Sequence, residues 1–153
     1  MRRLDLVERI GIVERIGLVD EALPASYGED YDLLLRAAKL GHVLAVAEPL
    51  VLVHWNRVSF FAGRWRGIVD GLSYLVAKHP EFATTPVGSA RLEGQIAFAL
   101  AALGQHREAR AWARKAIAHD HTQLRGYAAL VISAGLVPAG FLVAAVNRRG
   151  RGL

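Results

Sequence analysis

Residues 42–55, HVLAVAEPLVLVHW, are the stretch on which the fold class turns. Valine and leucine dominate, the run is short, and Pro49 breaks it in two, which is the pattern of one or two buried strands. Just upstream, residues 26–41, SYGEDYDLLLRAAKLG, set Glu29, Asp30 and Asp32 ahead of three leucines. Carboxylates in a first turn face the positive end of a helix dipole and accept hydrogen bonds from its unpaired amides. The spacing predicts a helix from about Glu29 to Leu40, with Lys39 near its negative end and Gly41 as a left-handed stop. Leu33, Leu34, Ala37, Ala38 and Leu40 make its packing side. Asp32 and Arg36, four apart, are expected to pair on an exposed face for about 0.3 kcal/mol. A helix followed by strands gives an α/β class, mainly α, with a short sheet.

Downstream, residues 59–80, SFFAGRWRGIVDGLSYLVAKHP, resume helical spacing through Trp65, Val69, Leu72 and Val76, weakened by two glycines. Trp55, Phe60, Phe61 and Trp65 form an aromatic patch that could stack on a sugar or lipid, though such clusters between elements more often form core. Residues 79–89, HPEFATTPVGS, hold two prolines and small polar side chains, and mark a boundary between a region 1–82 and a helical extension 83–153. Residues 90–120 read as two amphipathic helices meeting at Gly104. They resemble a tetratricopeptide unit, with Gly104, Ala109 and Ala116 at the small-residue positions. Counting 34 residues on from Glu93 and Ile96 reaches Tyr127 and Leu130, the start of a partial second unit. Residues 126–146 carry no charged side chain and are long enough to span a bilayer. Gly135, Pro138 and Gly140 cluster in their middle, so a packed pair of short helices is favoured over a span, with amphipathic surface attachment as a third option.

Composition narrows the classes further. A chain of 153 residues, 53% hydrophobic, can build a real core and is not a disordered one. Its net charge of +5 is uneven, because Arg148, Arg149 and Arg151 fall in the last six positions. A tail of that kind suits a membrane surface or plain solvent; with no base-reading motif beside it, no nucleic-acid partner is expected. The absence of cysteine excludes disulfides and thiolate metal sites. Residues 1–17, MRRLDLVERIGIVERIG, are too interrupted by charge to be an export signal, and their VERIG echo has a six-residue step that fits no repeat architecture. The expected location is cytoplasmic, or peripheral at the inner membrane face.

Taken together, residues 15–59, RIGLVDEALPASYGEDYDLLLRAAKLGHVLAVAEPLVLVHWNRVS, resemble the acceptor-side half of inverting GT-A fold, family 2 glycosyltransferases. The likeness runs from about Arg3 to Phe61 and more weakly to Phe82. It lies in an ordered set: Gly17, Asp20-Glu21, Glu29-Asp30 with Asp32 and Arg36, the Gly41 turn, a buried strand, and a polar segment ending at Ser59. The resemblance implies that Asp30 is the catalytic base, removing the proton of an acceptor hydroxyl as it attacks the anomeric carbon. Glu29 would bind the acceptor or orient the base. Asp20 and Glu21 would line the acceptor side, unless they are only surface acids in a turn. Asp30-Tyr31-Asp32 spells the family's metal motif but opens a helix instead of ending a strand, and no metal is assigned to it. In the family's Arg-x-His-x-x-Ser pattern anchored on Ser59, His54 takes the arginine position and Asn56 the histidine position, a poor replacement for an imidazole ligand. His54, Asn56 and Arg57 are the candidate donor-diphosphate contacts, with Arg64 and Arg66 behind them. His79, His106, His119 and His121 show no zinc spacing and read as surface residues.

The resemblance further implies a nucleotide-sugar donor, a glycan or lipid-linked acceptor, and a divalent cation, Mn or Mg, in the complete enzyme. The nucleotide-binding half has no counterpart in these residues, so the chain is expected to be inactive alone, and to self-associate or need a complementing chain. The competing expectation is a non-catalytic helical module that binds a protein or a membrane, in which the acids are only helix caps.

Overall fold

The computed structural model describes residues 14–50, 52 and 63–148. Among them the regular elements are helices: α1 (Glu29–Leu40), α2 (Trp65–Lys78), α3 (Pro86–Ala102), α4 (His106–His119), α5 (Leu124–Ser133) and α6 (Ala139–Arg148). Single helical turns at Pro24–Ser26 and Pro80–Thr84 lead into α1 and α3.

No strand occurs among the described residues, so the short sheet and the α/β class are corrected to an all-helical arrangement. Residues 42–50 are exposed and without regular structure; Leu44 is 87% and Leu50 75% exposed. Residues 51 and 53–62 lie outside the described set. The physical reason is that valine and leucine favour a strand only where neighbouring strands take up their backbone hydrogen bonds and cover one face. No such neighbour is present among the described residues.

α1 has the bounds its sequence predicts, but its ends are built differently. Gly41 is extended, with φ of 175°, and so is not a left-handed stop; the left-handed glycine is Gly28 at the N-cap, with φ of 91°. The centre of the fold is α3, buried on nearly all sides through Leu92, Ile96, Phe98 and Leu100. Pro86 opens it at a position where no amide proton is needed. α4 packs on it through Ala109, Ala113 and Ala116, spaced to lie on one stripe. Gly126 brings α5 against α4, since a Cβ there would meet Ile117 Cγ1 at 2.9 Å.

The first helix of each pair, α3 and α5, ends alike. Gly104, with φ of 77°, donates to Ala101 O at 3.1 Å while Gln105 N–H reaches Leu100 O at 2.9 Å. Gly135, with φ of 74°, donates to Ile132 O at 2.9 Å while Leu136 N–H reaches Val131 O at 3.2 Å. These are matching left-handed caps, and they recur 31 positions apart, three fewer than the count made on the sequence. The uncharged segment 126–146 is divided between α5 and α6, and no helix among the described residues is long and apolar enough to cross a membrane.

α2 joins this assembly through Ile68, Val69, Leu72 and Leu75, and Trp65 packs edge-on to Phe98 with ring centroids 5.8 Å apart. Phe82, in the turn between α2 and α3, is buried in the same apolar cluster.

Candidate functional site

The glycines that weaken α2 as a helix are what let it hold the turn before α1. A Cβ on Gly71 would lie 2.6 Å from Tyr27 O, and one on Gly67 would lie 2.8 Å from Ala25 Cβ. From the other side, a Cβ on Gly28 would meet Leu75 Cδ1 at 2.7 Å. Residues 24–28 are thereby clamped in a conformation that chains of L-residues avoid: Ala25 and Ser26 both have positive φ, 57° and 51°. Each such residue costs about 1–2 kcal/mol and persists only where its surroundings hold it. The clamped turn delivers Glu29 and Asp30 to the open N-terminus of α1.

There the surface is concave. A cleft of about 610 Å³ is lined by Tyr27, Glu29 and Asp30 on one side and by Arg91 and Gln95 of α3 on the other, over Leu72 and Leu92. Its size is that of a small-ligand site. Asp30 is exposed; its Oδ1 accepts the Tyr31 N–H at 2.8 Å, and no ion pair among the described residues includes it. Tyr27 is partly buried, and its hydroxyl reaches Gln95 Oε1 at a long 3.5 Å. Burial raises the Tyr27 phenol above its usual range.

Asp32 has the opposite surroundings. It is completely buried, and its pairing with Arg36 is correspondingly internal, which corrects the expectation of an exposed contact. Arg36 Nε donates to Oδ2 at 2.8 Å, while Lys78 Nζ and His79 Nε2 both lie 2.8 Å from Oδ1. Burial pushes this carboxyl up, but the hydrogen bonds from Lys78, His79 and Arg36 outweigh it and bring its pKa down to about 2. The Arg36 guanidinium also donates to the carbonyls of Ile16, Gly17 and Leu18, tying that segment to α1.

Asp20 belongs to the same network. Its Oδ2 accepts from Tyr74 Oη at 2.8 Å and from Lys78 Nζ at 2.5 Å, and its Oδ1 caps the Ala22 N–H at 3.0 Å. These contacts, led by Lys78, hold its carboxyl below the usual range. Lys78 thus bridges Asp20 and Asp32. Burial works against its charge, but both carboxylates together keep its pKa above the ordinary lysine value.

The structure therefore separates the acids that the sequence reading grouped. Glu29 and Asp30 line the cleft, Asp20 and Asp32 sit in the ion network, and Glu21 is exposed and lines neither. His54, Asn56 and Arg57 lie outside the described residues. His79 is buried instead of superficial, its Nδ1 without a hydrogen bond and 4.0 Å from Glu81 Oε2, and His119 Nδ1 contacts the buried Glu93 at 2.7 Å. Among the described residues no group of three or more His, Asp or Glu could hold a metal ion. The two ends of Asp30-Tyr31-Asp32 cannot serve as one ligand pair, since Asp32 is enclosed by three cationic or donor groups.

Sequence reasoning missed Arg91, Gln95 and Arg125, which form the far side of the cleft and the hollow beside it. The available signal was that Arg91 and Gln95 lie four apart, on one face of a largely apolar helix, and that Arg125 directly precedes the uncharged run. No protein-family model, no curated protein and no solved structure matches this chain.

Proposed function

We propose that this region is the acceptor-side part of an inverting sugar transferase, with Asp30 as the general base. The observation that carries the proposal is the division of labour in the first turn of α1. Asp32 is locked into a buried ion network, while Asp30, two residues before it, stands exposed on a ligand-sized cleft without an ionic partner among the described residues. The strained turn at Ala25 and Ser26 is a second support, since helix capping alone has no need of it.

In the reaction, an acceptor hydroxyl in the cleft loses its proton to Asp30 as its oxygen attacks the anomeric carbon of a nucleotide sugar. The new carbon–oxygen bond forms while the bond to the nucleoside diphosphate breaks from the opposite side, and the configuration inverts. Glu29 is placed to hold the acceptor. The donor has to be bound by residues other than those described. A divalent cation would steady the leaving diphosphate in such enzymes, but the described residues do not supply its ligands, and no step is assigned to it.

The test is transfer by the chain combined with a nucleotide-sugar-binding half of a family 2 enzyme. Asp30→Asn is expected to reduce the rate about 10²- to 10⁴-fold with the melting temperature unchanged. A full rate with a lowered melting temperature would make Asp30 a helix cap. That outcome would favour the second reading, a helical protein-binding module, for which Leu124, Leu136 and Phe141, all more than 60% exposed, offer an apolar surface.

A further inference from the structure

Two arginines are left unused by the transfer chemistry: Arg91 lines the cleft, and Arg125 lines the hollow beside it. Arg91 is exposed on α3, and Arg125 is half-buried at the start of α5. Gly94 sets the approach of these helices: a Cβ there would meet Gln123 Cγ at 2.9 Å and Arg125 Cβ at 3.3 Å. Gly94 lies three residues after Arg91, so Arg125 is packed one helical turn away from it.

The two charges feel each other. Burial first, and the neighbouring Arg91 second, hold the Arg125 guanidinium below its usual range, with Tyr27 partly compensating. None of the ion pairs among the described residues includes either arginine. Two like charges, one of them partly desolvated, are unfavourable together unless an anion is shared between them. A small hollow of about 40 Å³, in which Tyr27, Gln95 and Arg125 stand against the apolar wall of Trp65, Ile68 and Phe98, adjoins the main cleft and shares Tyr27 and Gln95 with it. The cleft thus carries carboxylates at its α1 end and the Arg91 guanidinium at its α3 side, with Arg125 lining the hollow that adjoins it.

We propose that Arg91 and Arg125 bind a phosphate group carried by the acceptor, leaving the acceptor hydroxyl at the Asp30 end. Guanidinium groups suit this because each can donate two parallel hydrogen bonds to phosphate oxygens. The identity of the phosphate as part of an acceptor rests on the transferase reading; the anion site itself does not.

Calorimetry on the full chain with a hexose 1-phosphate, the free hexose, and phosphatidylcholine vesicles with and without phosphatidylglycerol separates the cases. Saturable binding of the hexose phosphate, at least tenfold weaker for the free hexose, is expected. Arg91→Gln and Arg125→Lys should each weaken it about tenfold, while Arg114→Gln, on the exposed side of α4, should not. Arg91 is at the surface, so its variant keeps the fold and the test stays decisive even if Arg125→Lys does not fold. Equal affinity for sugar and sugar phosphate, indifference to both arginine variants, or binding only to the anionic vesicles would overturn the proposal. Binding is read on the chain alone and transfer on the chain combined with a donor half, so failure of the anion site and failure of the base are read independently.

Discussion

Asp30 and Asp32 share one helical turn and one side-chain chemistry, yet the first faces a cleft and the second is enclosed by Arg36, Lys78 and His79. Two residues along an α-helix correspond to a rotation of about 200°, so the pair must address opposite sides. The motif spelling of a short acidic run therefore says little about its use. What matters is which member the neighbouring helix reaches. α2 reaches Asp32 through Lys78 and His79, and leaves Asp30 to whatever enters the cleft.

The sharpest way to break this contrast is to neutralise each acid in turn. Asp32→Asn should destabilise the chain by about 2–3 kcal/mol, because the half-buried Arg36 would lose its carboxylate and Lys78 one of its two. Asp30→Asn should change stability by less than about 0.5 kcal/mol, as a surface substitution does. Urea unfolding of both variants measures the difference, and equal losses would erase the distinction drawn here. A somewhat smaller effect is expected at the clamp. Gly71→Ala should cost about 1–2 kcal/mol, the backbone clash with Tyr27 exceeding the gain in helix propensity. It should also weaken binding in the cleft, because the turn carrying Glu29 and Asp30 would shift. An unchanged melting temperature would mean that the turn is not held by α2.

The smallest effect concerns acid. The Asp32 pKa is depressed from 3.8 to about 2, so its stabilisation is fully present above pH 4 and is lost as the pH falls toward 2. The loss should be about 1–2 kcal/mol once solvent screening is allowed for. In Asp32→Asn the acid sensitivity over that window should shrink, and a parallel loss in both chains would place the titrating group elsewhere.

Local signals were legible where they were sufficient. The carboxylates and leucines of α1 predicted Glu29–Leu40 correctly, because dipole, capping and helical spacing all act within a dozen residues. The turn at Gly104 was equally legible. Residues 42–55 were not, since β-propensity records a fit to partner strands that the sequence of one segment cannot reveal. The glycines of α2 read as weaknesses because their use, admitting the Tyr27 backbone, depends on a helix and a turn 40 residues apart in the chain. His79 read as superficial for the same reason: its burial comes from α1.

For the site, Glu29 and Asp30 could be named from the sequence, but the cleft they line could not. Its other side comes from Arg91 and Gln95, about 60 residues away in the chain. Local sequence was enough for the strongly periodic helices, the turns at Gly104 and around Gly135, and the acidic first turn of α1. Which acid is buried, which glycines are needed and which arginine comes to line the cleft were set by packing. Those outcomes depend on distances between elements far apart in the chain, and burial and charge act through distance in space, not position in sequence.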